Sequence, residues 1–240
     1  VNERDCLPVV DKMWQKGVCS VLDYSVEGKE EEDPFDAATE IILTILDFVK
    51  EKEAIPYAVF KPTGFGRFAL YQKVSEKKEL TKEEQAEWQR VINRFDKVCK
   101  KAHDLEVSLL IDGEESWMQD AADDLAEDMM RKYNKKKRIV FNTLQTYRWD
   151  RLPYLKSLHE RAKKKGFKVG MKVVRGAYME KENDRAKDKG YVSPICKSKA
   201  ETDENFNATI KYMIENLDTL SIFSGTHNED SCYRLMKLMA

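Results

Sequence analysis

The sequence predicts an α/β fold in which parallel strands are covered by helices. Two observations carry that prediction. Six short runs rich in Val, Ile, Leu or Phe alternate with longer stretches of helical periodicity, and the residues closing those runs are polar and often cationic. A third observation supports it: no low-complexity segment or Pro/Gly/Ser-rich linker interrupts the alternation. Residues 17–240 therefore read as one domain, preceded by a helical segment over 1–16.

The first strand run spans 17–24 and is followed by a helical pattern over 34–52, where Ile41, Ile42, Ile45, Leu46 and Val49 mark one face. The second run is 57–61. Thr81-Lys-Glu-Glu84 then gives a capping-box signature that opens the next helix. Run three (107–112) precedes a helix over 120–133, and run four (138–142) precedes a helix over 151–165. Runs five (169–174) and six (220–224) are followed by helices over 203–216 and 229–239. Alternation of this kind builds either an open doubly wound sheet or a closed barrel of eight units. Six units fall short of eight, so a barrel needs two further units beyond Ala240 or in another chain.

Composition narrows the class. Hydrophobic residues at 42% and charged residues at 35% fit a globular chain with a solvated exterior rather than a disordered one. The balance of 42 basic against 43 acidic residues gives a net charge of -1, so nothing global argues for nucleic acid. No apolar run reaches the roughly 18 to 20 residues that span a bilayer. Cys6, Cys19, Cys99, Cys196 and Cys232 are odd in number and widely spaced, with no histidines at ligand spacing. They read as buried, reduced thiols in an intracellular compartment, with no metal site.

In a parallel sheet the chemistry gathers where strands end. Those positions hold Asp23 and Glu27, then Lys61, Asp112, Asn142 and Gln145, Lys172 and Arg175, and Thr226, His227 and Asn228. Asp112 could simply cap the helix after it. Lys61 and Lys172 interrupt apolar runs, and a lysine on a buried strand must find an anion or reach water, which favours function. His103 and His159 read as residues of helix surfaces, structural or solvated. Gly64-Phe-Gly-Arg-Phe-Ala69 matches a dinucleotide fingerprint only weakly, because it follows the second strand rather than the first.

Lys172-Val-Val-Arg-Gly-Ala-Tyr-Met-Glu180 resembles the fifth-strand motif of the proline dehydrogenase family. Five more segments resemble that family's strand motifs in the same order: Asp23-Tyr-Ser-Val-Glu27, Val59-Phe-Lys61, Leu110-Ile-Asp112, Asn142-Thr-Leu-Gln-Thr-Tyr147 and Thr226-His-Asn-Glu-Asp230. The resemblance implies a distorted (β/α)8 TIM-like barrel, with about six βα units in this chain. It also implies FAD as cofactor, oxidation of L-proline to Δ1-pyrroline-5-carboxylate on the route to glutamate, and a quinone as electron acceptor.

Carried over by position, Lys61 would help clamp the substrate carboxylate and Asp112 would orient groups of the inner site. Gln145 and Lys172 would bond the flavin ring, with Lys172 also counted among the catalytic residues. Val174, Arg175, Gly176, Ala177 and Tyr178 would hold the cofactor's ribose and phosphate region, and Thr226, His227 and Asn228 its pyrophosphate and adenosine side.

The sequence departs from the family pattern in two places. Lys172 stands where many bacterial members have arginine, which keeps the charge but loses the forked donor. The family's last helix supplies an arginine pair for the carboxylate, and no such segment occurs before Ala240. The resemblance further implies a peripheral membrane contact, in the bacterial cytoplasm or inner-membrane periphery, or in a mitochondrial matrix. Two other readings stay open: a barrel forming a Schiff base on Lys61 or Lys172, and a non-catalytic FAD-binding fragment.

Overall fold

The computed structural model describes residues 4–23 and 30–240, so Glu27 of the first-strand motif lies outside the described residues. The chain forms two compact units. One comprises Val1–Asp112 with Trp117–Met129, the other Gly113–Ser116 with Met130–Ala240.

In the first unit, β1 (Val21–Asp23), β2 (Tyr57–Phe60) and β3 (Ser108–Ile111) run parallel, with Val21 opposite Tyr57 and Tyr57 opposite Ser108. A helix, α1 (Leu7–Trp14), precedes them, starting with Pro8 in its first turn, where the missing N–H costs nothing. Helices α2 (Glu32–Val49), α3 (Phe68–Ser75) and α4 (Lys82–Asp104) follow in order.

The apolar stripes of α2 and α4 bury Ile42, Leu46 and Val49, and Val91, Phe95 and Val98. Phe60 stacks on Phe65 at 4.5 Å between ring centroids and meets Phe95 edge-on at 5.2 Å. The capping box at Thr81 forms as expected: the Glu84 amide donates to Thr81 Oγ1 at 3.2 Å and the Thr81 amide to Glu84 Oε2 at 2.8 Å.

In the Gly64-to-Ala69 stretch, Gly66 serves packing and Gly64 only a turn. Gly64 closes a 3-10 turn (Pro62–Gly64), and a Cβ on Gly66 would stand 2.4 Å from Val91 Cγ2. α3 opens only at Phe68, so no glycine-rich turn leads from β2 straight into a helix as a dinucleotide site requires.

In the second unit, β4 (Val140–Gln145), β5 (Val169–Val174) and β6 (Leu220–Ser224) run parallel. Helices α6 (Arg151–Lys165), α7 (Met179–Lys189), α8 (Lys199–Ile214) and α9 (Glu229–Met239) belong to it, while α5 (Ser116–Tyr133) opens on its residue Ser116. Leu155, Leu158 and Ala162 of α6 and Phe206, Ile210 and Met213 of α8 are at most 1% exposed. α6 stops at Gly166, which takes the left-handed conformation (φ 66°) that glycine adopts without strain.

Several expectations are corrected. Strand β4 runs to Gln145 rather than stopping at Asn142, so Asn142 is a fully buried mid-strand residue. The Asn134 side chain accepts the Ile139 and Val140 amides, which holds the start of the expected run outside the ladder. α3 and α7 were not anticipated. His159 is buried rather than on a surface and pairs with the Tyr212 hydroxyl at 2.8 Å. The cysteines are free, but only Cys99 is buried; Cys19 and Cys232 are exposed.

Candidate active site

At the C-terminal edge of the first unit, the Asp112 amide donates to the Phe60 carbonyl at 2.9 Å. That bond extends the β2–β3 register by one step and sets Lys61 beside Asp112, both half-buried. The N-cap of α5 is Glu115, so capping does not account for Asp112.

In the second unit, register places Thr143 opposite Lys172 and Gln145 opposite Val174. Alternate residues of a strand share a face, so these four side chains lie together, while the fully buried Met171 and Val173 occupy the other face. Gln145 is 4% exposed and its Nε2 donates to the Glu114 carbonyl at 2.7 Å. Gly113 presses against the same amide, where an added Cβ would stand 3.1 Å from Nε2. The orientation of Gln145 is therefore fixed by its surroundings.

Beyond β5 the chain turns through residues 175–178. Gly176 has φ +135°, and a Cβ there would lie 2.5 Å from the Tyr147 ring. Both the backbone angle and the space demand glycine. Tyr147 organises the turn: its amide donates to the Arg175 carbonyl at 2.7 Å, its hydroxyl accepts the Tyr178 amide at 3.3 Å, and its carbonyl accepts the Cys196 amide at 2.7 Å. Burial pushes the Tyr147 phenol far above its ordinary range, and the Glu182 charge adds to the shift.

Arg175 gathers the remaining strand-end residues. Its Nε donates to Asp203 at 2.8 Å, Nη1 to Thr226 Oγ1 at 2.9 Å and Nη2 to Ser231 Oγ at 3.1 Å, with the guanidinium over the Phe206 ring. The Asn228 amide also reaches Thr226 Oγ1, at 3.0 Å, and Asn228 Oδ1 accepts the Ser231 amide as the N-cap of α9. His227 is exposed on that turn. The Lys199 bond, followed by that of Arg175, holds the Asp203 carboxyl below its usual range.

A cavity of about 870 Å³ opens here, walled by residues 175–181 on one side and 195–199 on the other, with Tyr147 between them. It contains Arg175, Gly176, Ala177 and Tyr178 of the expected set. It also contains Lys181, Lys197 and Lys199, which no sequence motif marks, and Cys196, which the sequence marks only as a thiol. Burial pushes the Cys196 thiol up. The α7 wall was hard to see in sequence because only Met179, Asn183 and Ala186 of its residues are uncharged, leaving no apolar stripe; Gly190, its left-handed cap at φ 71°, was the one available signal. Among the described residues no cluster of His, Cys, Asp and Glu is placed to hold a metal ion, and no helix is long and apolar enough to cross a membrane.

The fold is shared with known proteins. The chain has the fold of proline utilization A from Bdellovibrio bacteriovorus (TM-score 0.82, 18% identity, 99% of this chain and 26% of that one). It equally matches proline utilization A from Corynebacterium freiburgense (TM-score 0.79, 17% identity, 98% and 24%). In sequence it is 36% identical over 222 residues to the carbapenem antibiotics biosynthesis protein CarD of Pectobacterium carotovorum subsp. carotovorum, covering 92% of this chain and 58% of that protein. It is 34% identical over 155 residues to human mitochondrial proline dehydrogenase 1, covering 63% of this chain and 26% of that protein. The chain thus spans little more than half of the first of these relatives and about a quarter of the second. The family model described as proline dehydrogenase matches residues 6–240, and the chain belongs to the proline dehydrogenase family.

Proposed function

We propose that this chain supplies the FAD-binding part of an enzyme that oxidises L-proline to Δ1-pyrroline-5-carboxylate and passes the electrons to a quinone. The observation that carries the reading is the cation-lined cavity beside the 175–178 turn. Its volume of about 870 Å³ suits a large ligand. The donor set fits a phosphate-bearing group: Arg175 is fixed by Asp203 and Thr226, and Lys181, Lys197 and Lys199 stand on the rim.

In this reading Arg175, Gly176, Ala177 and Tyr178 hold the ribose and phosphate region. Thr226, His227 and Asn228 serve the adenosine side. Gln145, Lys172 and Val174 share the strand face that would meet the flavin ring. FAD, when bound, supplies the two-electron acceptor for the hydride leaving the ring carbon beside the proline nitrogen. The chain's own residues then bind and orient. Lys61 attracts the substrate carboxylate, Asp112 beside it orients cationic groups, and the Lys172 ammonium favours the negative charge that reduction places nearby. A peripheral membrane contact near the quinone pool belongs to the same reading, and the mitochondrial relatives support such a compartment.

The test is anaerobic bleaching. The full-length natural protein is expected to purify yellow and to lose its flavin absorbance on addition of L-proline. A colourless protein that takes up no added FAD and does not respond to proline overturns the reading.

A further inference from the structure

α7 forms one wall of the cavity, yet almost nothing in its composition anchors it. Of its residues only Glu182 and Ala186 are buried. An alanine contributes little apolar area, so the helix cannot be held there chiefly by hydrophobic burial. Glu182 is 0% exposed. A fully buried carboxylate has to be compensated, and Ser116 does so: it donates its amide to Glu182 Oε1 and its hydroxyl to Oε2, each at 2.6 Å.

The partner residue gains from the same contact. Ser116 is the first helical residue of α5, whose own N-cap, Glu115, makes no side-chain capping bond and whose first turn holds no acid. The Ser116 amide is one of the helix-start donors that must find an acceptor elsewhere, and Glu182 supplies it from 66 residues away. Lys181, the residue before Glu182, reinforces the junction by pairing with Glu115 at 3.0 Å.

The Gly113–Ser116 segment has a second attachment. The Glu114 carbonyl accepts Gln145 Nε2 at 2.7 Å, and Gly113 packs on the same side chain. One short segment therefore receives Gln145 from the end of β4 and Glu182 from α7.

We infer that Glu182 is a positioning residue: its carboxylate latches α7 to the Gly113–Ser116 segment and so sets the cavity wall in fixed relation to Gln145. Glu182 lines no part of the cavity itself. The inference rests on the FAD reading for its effect on affinity. The latch stands on geometry alone.

The experiment uses the full-length protein with Glu182→Gln and Ser116→Ala. Glutamine keeps the shape but cannot accept from both donors, because its amide group opposes one of them. Hydrogen exchange of the flavin-free protein reads the latch directly. The amides of α7 are expected to exchange at least about tenfold faster in Glu182→Gln, and less so in Ser116→Ala, which keeps the backbone donor. FAD titration reads the consequence: the dissociation constant is expected to rise by about tenfold or more, with the loss falling on cofactor affinity rather than on kcat at saturating FAD. The two substitutions together should cost less than the product of their separate effects, since both act on one contact.

Unchanged exchange in α7 for both variants overturns the latch. Faster exchange with unchanged FAD affinity overturns its coupling to the cavity. A wild-type protein that binds no FAD refutes the cofactor reading while the exchange result still decides the latch. Should Glu182→Gln fail to fold, Ser116→Ala alone carries the same two readouts.

Discussion

Gly176 shows how tightly a single residue can be specified. Its φ of +135° strains any L side chain, and the Tyr147 ring fills the space a Cβ would need. Gly176→Ala is expected to destabilise the protein by roughly 2 kcal/mol or more, through backbone strain and overpacking together. Chemical denaturation measures it, and a variant as stable as the parent counts against the geometry. Lys172 and Arg175 stand out in the sequence because one interrupts an apolar run and the other follows it. Tyr147 and Glu182 do not, because their meaning lies in partners 31 and 66 residues away.

At the scale of elements, strong periodicity and local signals were read correctly: α6, α9, β5 and β6 fall where the sequence placed them, and α4 opens on its capping box. β4 was cut short because Asn142, Thr143 and Gln145 look like the end of a strand, whereas the register with β5 continues through all of them. The junction of β4 and α6 depends on Asp150. Burial raises its carboxyl, but bonds from Arg151 and Arg148 outweigh that and hold it at about 2. Both arginines are 5% exposed.

A folded pKa of about 2, below the ordinary 3.8, contributes stability that is complete above about pH 4 and disappears as the pH falls towards 2. Asp150→Asn is therefore expected to lose about 2 kcal/mol at pH 7, with the gap to the parent closing between pH 4 and 2. Denaturation midpoints across that range check it. A gap independent of pH would show that the lost charge is not the cause.

For the molecule as a whole, the six strand-end motifs in collinear order made the family legible, since no one of them is specific by itself. The division into two compact units was not legible, because composition does not change at residues 112–116. A bound cofactor stabilises what it touches by mass action. On the proposed FAD reading, stripping the cofactor is thus expected to speed amide exchange through residues 175–202 and to leave α2 and α4 at their former rates. Uniform acceleration along the chain would argue against a cofactor seated at the 175–178 turn.

The contact between Gly66 and Val91 constrains the history of this sequence. With the valine methyl 2.4 Å from where a Cβ would be, no larger residue fits at position 66 unless Val91 shifts. A replacement of Gly66 is therefore expected to be tolerated best together with a smaller side chain at 91. The second glycine of a stretch that imitates a nucleotide-binding signature is, on this account, a record of packing against α4.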